Sequence, residues 1–330
     1  MGAYLARAGH DVTLVDTVPE HVAAMQRGGL GISGPIASFT TPPLPACTPD
    51  TLTGQWDTIV LATKAQHTAA AARQLLPHLT AGGCVISAQN GLNELLIAEA
   101  VGEARTVGAF VNFGADYLEP GSILYGGRGT VMVGEAFGAP PMQITPRVRA
   151  IRDAWRDFDD RAAATANIWG YLWAKEAYGA MLFVTALTND SIADALARPA
   201  YRDLYVALAR EVLAVALARG VRPEAFDGFD PGAYLPDAPA GAAARSLDGL
   251  VAHNRRSAKT HSGIWRDLAV RKRPTEVDAQ LGIVCSLGAA AGVPVPITTA
   301  LVELVHEIER GTRALSLENL DALARIRPAR

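Results

Sequence analysis

The chain has 330 residues, of which 49% are hydrophobic and 19% charged, and its net charge is −3. That length allows two domains, and that composition supports sizeable cores and argues against disorder. No broad basic field points to nucleic acid, although residues 255 to 273 hold a local basic cluster. Cys47, Cys84 and Cys285 are odd in number and widely spaced. They form no CxxC, no zinc spacing and no disulfide framework, which suits a reducing cytosol and no bound metal. No uncharged apolar run is long enough for a membrane span, and Arg7, His10, Asp11 and Asp16 interrupt any signal peptide.

The opening stretch reads as a helix over Ala3 to Ala8, a stop at Gly9, and a short buried strand from Val12 to Val15 that ends at Asp16. This is the second half of a βαβ unit. Gly2 stands where the last glycine of a G-x-G-x-x-G loop would sit, so the chain is expected to begin inside its own phosphate loop. Asp16 is placed to accept the adenosine ribose hydroxyls, which would favour NAD over NADP because a carboxylate repels a 2′-phosphate. The alternative for Asp16 is a turn aspartate before Pro19.

A helix over His21 to Arg27 ends at Gly28-Gly29, and prolines make residues 35 to 50 irregular. Thr58 to Ala62 reads as a buried strand, followed by Thr63-Lys64-Ala65-Gln66 and a helix to Leu79. Gly82-Gly83 then turns the chain into a strand, CVISA, ending in Gln89-Asn90-Gly91. Strand, polar tip, helix, strand, polar tip is a doubly wound pattern, and ligands bind at the carboxyl ends of such strands. Lys64 and Asn90 fall at those tips, where Asn90-Gly91 also reads as a simple tight turn. Residues 105 to 135 read as antiparallel, hairpin-like strands at the sheet's far edge. Pro140-Pro141 lies in a turn before a helix near Arg147 to Phe158. Helices follow at 168–187, 200–219, 244–272, 276–291 and 297–311, with a long loop from Asp227 to Ala243. The predicted domains are 1–160, Rossmann-like and dinucleotide-binding, and 161–330, helical and catalytic.

Ile168 to Leu187 is almost wholly apolar, yet Lys175 and Glu176 sit in its middle. A lysine there must snorkel, pair or be used. Desolvation would lower its pKa toward what an acid working near neutral pH requires.

Five pieces in order carry a resemblance over essentially the whole chain. They are Ala62-Thr63-Lys64-Ala65-Gln66, Gln89-Asn90-Gly91-Leu92, Pro120-Gly121, Trp173-Ala174-Lys175, and Pro274-Thr275-Glu276-Val277-Asp278, the last followed by Gly292-Val293-Pro294. The chain resembles the ketopantoate reductase (2-dehydropantoate 2-reductase) family. The resemblance implies a Rossmann-like N-terminal domain. It also implies a helical C-terminal domain similar to that of 6-phosphogluconate dehydrogenase, with the substrate in a cleft against it. It implies an NAD or NADP cofactor, a small 2-oxo acid substrate and a role in pantothenate biosynthesis; a homodimer is plausible. By the same resemblance Lys175 is the catalytic acid, Asn90 lies near nicotinamide and substrate, Lys64 is on the cofactor side, and Glu276 orients the nicotinamide ribose or the substrate hydroxyl.

Departures concentrate in the substrate positions. The family's asparagines one and two turns after the lysine fall on Gly179 and Phe183. Its carboxylate-binding serine falls on Gly263, beside Ser262, and the segment from Asp267 to Glu276 is one residue longer. A lost polar contact changes which substrate is accepted, so a bulkier or more apolar 2-oxo acid is expected, consistent with Phe183 and Trp265. Arg256, Arg266 or His261 would bind its carboxylate, or serve as surface and ion-pair residues. Two other readings stay open: a catalytically impaired nucleotide-binding homologue or fragment, and a reductase of a 3-hydroxyacid or an imine.

Overall fold

In the computed structural model, which describes residues 1–256 and 260–326, the strands are β1 Leu14–Val15, β2 Gly31–Ser33, β3 Phe39–Thr40, β4 Ala46–Cys47, β5 Trp56–Leu61, β6 Leu79–Ser87, β7 Thr106–Val111, β8 Gly114–Glu119, β9 Ser122–Gly127, β10 Val131–Glu135 and β11 Ala163–Ala164. The helices are α1 Gly2–Arg7, α2 Pro19–Gly28, α3 Thr68–Leu75, α4 Glu94–Val101, α5 Pro146–Trp155, α6 Ile168–Thr185, α7 Ile192–Ala197, α8 Arg202–Ala218, α9 Ala242–Arg256, α10 Gly263–Trp265, α11 Ile283–Ala291, α12 Pro296–Glu309 and α13 Leu317–Ala324. Contacts divide the chain into two units. The first holds Met1–Thr63, His67–Gln89 and Glu94–Ile168; the second holds Lys64–Gln66, Asn90–Asn93 and Trp169–Arg330. The first unit therefore runs past residue 160, because β11 still pairs with β10.

The first unit is α/β. Its main sheet has the order β11-β10-β7-β6-β5. β5, β6 and β7 run parallel, and β10 is antiparallel to β7. The centre is covered on both faces: Val85, Ile86, Val107 and Ala109 have no exposed surface, as apolar parallel strands require. β5 differs from the buried strand expected. It pairs with β6 alone, so only Leu61 is buried and Val60 is 38% exposed. β1 is likewise shorter than expected and not buried; it pairs with β4 alone, and Val15 is 45% exposed. Gly82 and Gly83 lie inside β6 rather than at a turn before it. The run from 105 to 135 does form short strands, but it is shared between two sheets. β7 and β10 join the main sheet, while the hairpin β8-β9 joins a separate four-stranded sheet with β2 and β3. Tyr4 of α1 packs edge-on against Phe39, Tyr125 and Phe158 in this unit's core.

The second unit is helical. α6 is buried nearly all round, as its composition predicts: Leu172, Trp173, Ala174, Ala177, Ala180 and Met181 are 2% exposed or less. α8 packs against α11 and α12. Its buried Glu211 accepts from the Ile297 and Thr298 N–H groups at the start of α12, at 3.0 and 2.8 Å. That contact satisfies orphan donors and favours the helix dipole. The helix expected over 244–272 is not continuous. Residues 260–262 are non-helical, and Ser262 caps a new helix by accepting from Trp265 N–H at 3.1 Å. Arg266–Arg271, after α10, is π-helical, a wider turn than that of an α-helix. No described helix is long and apolar enough to cross a membrane.

Glu94, in the first turn of α4, is fully buried. Burial raises its pKa from 4.5 to about 8; the Ser87 hydroxyl and the Ala109 backbone alongside offset only part of this. The folded state therefore holds a proton here that the unfolded chain releases. Stability from this group is full below about 4.5 and is lost as pH rises through about 8. The urea midpoint should fall across that window, and Glu94→Gln, which cannot ionise, should flatten the fall. An equal fall in both proteins would place its source elsewhere.

Candidate active site

Lys175 sits in mid-α6, partly exposed but densely surrounded. Its pKa is lowered from 10.5 to about 8 by desolvation. Glu176, Asp227 and Glu276 oppose the drop, in that order of strength. Three carboxylates thus keep charged an ammonium that burial would discharge.

Glu276 is the junction of this group. One carboxylate oxygen accepts from Lys64 Nζ at 2.8 Å, and the other accepts from the Ala65 N–H at 2.8 Å. Its side chain is 11% exposed and that of Lys64 49%. So exposed a pair adds about 0–1 kcal/mol at most; its effect is to fix where the Lys64–Gln66 loop lies. The residue before it is tied down as well. Thr275 donates through its N–H and its hydroxyl to Glu309 Oε1, each at 2.7 Å. Asn90 is exposed, and its carbonyl accepts from Asn93 Nδ2 at 2.6 Å. Gly91 has φ +104°, and a Cβ there would lie 3.2 Å from Ala279 O, so the loop needs glycine both for conformation and for close approach.

Asp227 reaches this group from a tight turn. Phe226 and Phe229 exchange backbone hydrogen bonds of 3.0 and 2.7 Å, and Asp227 and Gly228 between them take φ 39° and 84°. Two left-handed residues in succession mark a primed turn. Both phenylalanines are buried and flank Tyr178, with the Phe229 ring centroid 5.5 Å from it. Tyr178 lies three residues beyond Lys175 on the same helix face. The aromatic cluster thus anchors a strained acidic tip near the lysine.

Two family patterns match the chain. The pattern described as "Ketopantoate reductase PanE/ApbA" matches residues 1–138, and "Ketopantoate reductase PanE/ApbA C terminal" matches residues 167–309. The chain belongs to the ketopantoate reductase family. A 2-dehydropantoate 2-reductase of Halobacterium salinarum is 24% identical over 311 residues, covering 94% of this chain and 95% of the relative. Two solved structures share the fold. One is a D-mandelate dehydrogenase with NADH and anilino(oxo)acetate (TM-score 0.79, 20% identity). The other is a PanE/ApbA family ketopantoate reductase from Ralstonia eutropha (TM-score 0.76, 24% identity). Each match covers 94% of both chains. As a member of this family the protein is a 2-dehydropantoate 2-reductase-like, NAD(P)-dependent oxidoreductase.

Among the residues singled out from the sequence, Lys64, Lys175 and Glu276 lie in one electrostatic group, and Asn90 lies in the same unit. Gly2 and Asp16 lie in the first unit. A Cβ on Gly2 would sit 2.7 Å from Leu14 Cδ2, so glycine lets α1 lie close on β1. Asp16 Oδ1 accepts from Val18 N–H at 2.8 Å, a turn contact that leaves Oδ2 available. Phe183 has no exposed surface. The Ser262 oxygen accepts the cap bond from Trp265 N–H, and a Cβ on Gly263 would meet nothing within 4 Å. Gly179 is also open: a Cβ there would meet only Gln280 Oε1, at 3.7 Å. Sequence reasoning missed Asp227, which acts on the Lys175 charge. Asp-Gly between two phenylalanines is a usable turn signal. Among the described residues no cluster of His, Cys, Asp or Glu could hold a metal ion.

Because Gly179 is mid-helix and its missing Cβ has room, Gly179→Ala should stabilise the fold by about 0.5–1 kcal/mol. Thermal melting should show a rise of roughly 2 °C. A lower melting temperature would mean that the space is not open.

Proposed function

We propose that the protein reduces a 2-oxo acid to the 2-hydroxy acid at the expense of NADH or NADPH, with Lys175 as the general acid. The observation that carries this reading is a half-buried ammonium in mid-α6 whose charge Glu176, Asp227 and Glu276 support against desolvation, in a chain of the ketopantoate reductase family. An ammonium so placed can hydrogen-bond a ketone oxygen, stabilise the charge that develops there, and give up its proton as that oxygen becomes a hydroxyl. Its three carboxylates keep the proton on until it is needed. Glu276 also fixes the Lys64 loop, so one side chain serves both the acid and the neighbouring cation.

The chain's residues fit a nicotinamide dinucleotide. The Asp16 Oδ2 oxygen suits a ribose hydroxyl, Lys64 suits an anionic group, and Gly2 permits the close helix–strand packing such folds use. When bound, the cofactor supplies the hydride. The Asp16 carboxylate favours NADH, because it would repel a 2′-phosphate.

Two measurements test this reading. Lys175→Met should lower kcat by roughly 10³-fold while the dissociation constant for NADH stays within a few-fold. Near-normal turnover would remove Lys175 from the chemistry. In wild type, kcat for reduction should fall as pH rises above about 8, because the acid must enter protonated. Asp227→Asn removes a charge that raises the Lys175 pKa, so it should move that fall to lower pH. A fall that does not move with Asp227→Asn would mean another group titrates.

A further inference from the structure

β5 pairs with β6 alone, so support for its carboxyl end comes from the β6 side. A main-chain rung joins Ala88 N–H to Leu61 O at 2.9 Å, where both strands end. Rungs of a parallel pair recur evenly on alternate residues, which makes Thr63 O the next acceptor. It accepts from a side chain. Gln89 Nε2 lies 2.8 Å from Thr63 O and 3.3 Å from Thr63 Oγ1. The same nitrogen donates to Thr68 Oγ1, at the start of α3, at 2.8 Å. Gln89 is 5% exposed and Thr68 has no exposed surface.

A carboxamide nitrogen carries two protons, so one serves Thr68 and the other is shared by the two Thr63 oxygens. Thr63 and Thr68 flank residues 64–67. One buried nitrogen therefore pins both ends of the excursion that carries Lys64. The Lys64 pair with Glu276 is too exposed to hold that excursion by itself. A carboxylate in place of the carboxamide would offer no proton to either threonine. Without those donors the Lys64 stem loses its fixed base.

We propose that Gln89 is a positioning residue: it acts on the bound dinucleotide through Lys64, by fixing the segment from which that lysine reaches out, and not by contact. The inference rests on the reading above in which Lys64 meets an anionic group of the cofactor. Ligands of such sheets bind beyond the carboxyl ends of the strands, and Lys64 stands three residues past the end of β5. A long, exposed side chain that must be ordered when its ligand arrives binds more weakly than one already held. The buried bonds of Gln89 supply that order within the fold, before the cofactor binds.

A double-mutant cycle with Lys64 tests this. Gln89→Met keeps the length of the side chain and removes both donors. The dissociation constant for NADH should rise roughly tenfold, and KM for NADH should rise with it while kcat stays within about twofold. Lys64→Met should weaken NADH binding at least as much. Adding Gln89→Met to Lys64→Met should cost less than about twofold more, because no lysine is left to place. Losses that multiply, no loss in Gln89→Met, or a fall in kcat at unchanged NADH affinity would each overturn the assignment. If Gln89→Met does not fold, Thr68→Val removes one acceptor at constant shape and should weaken NADH by about threefold; no change there overturns it. If Lys64→Met binds NADH as wild type does, the cofactor-side reading of Lys64 fails. Hydrogen exchange then decides the Gln89 role alone. The Ala65 N–H, bonded to Glu276, should exchange roughly tenfold faster in Gln89→Met while the amides of β7 keep their rates. An unchanged Ala65 rate overturns it.

Discussion

The desolvation of one ammonium organises the second unit. α6 is apolar nearly all round, and Lys175 is the cation it carries into that setting. Burial alone would strip its proton, so the fold brings carboxylates from three places. Glu176 comes from the same helix, Asp227 from a tight turn, and Glu276 from the segment ahead of α11. None of these carboxylates stands alone. Phe226 and Phe229 anchor the first turn beside Tyr178, and Glu309 fixes Thr275 next to Glu276. Remote packing is thereby converted into the protonation state of one nitrogen.

This arrangement has a cost in stability, and its sign follows from the lowered pKa. Between about 8 and 10.5 the unfolded chain holds a proton on this lysine that the folded chain has released. The destabilisation from burying the lysine is full below about 8 and is relieved as pH rises toward 10.5. Reduction needs the opposite, a protonated Lys175. Function and stability therefore pull this residue in opposite pH directions, as is common where a site is built on a strained group. Glu94 in the first unit is the complementary case: a carboxyl that burial keeps neutral, with the fold favoured at lower pH.

Much of this was legible in the sequence. A charged pair inside an apolar run marks Lys175 and Glu176, and the ordered motifs mark Lys64, Asn90 and Glu276. The division into an α/β unit and a helical unit follows from the change of hydrophobic period, as the observed sheet order and α6 to α13 show. What escaped depends on partners distant in the chain. An apolar run such as that of β5 reads as buried, yet its exposure depends on how many strands flank it. The break before α10 depends on a single hydroxyl choosing to cap. The π-helical stretch after α10 leaves no trace in hydrophobic spacing.

The central claim is that Lys175 titrates far below an ordinary lysine while keeping its proton at neutral pH. Following the Lys175 ammonium by nitrogen NMR across a pH titration, with Lys175→Met to assign the signal, tests it directly. A midpoint near 8 is the expected result. A midpoint at the ordinary lysine value of 10.5 would show that the ammonium is not desolvated, and the account of the site built on it would fail.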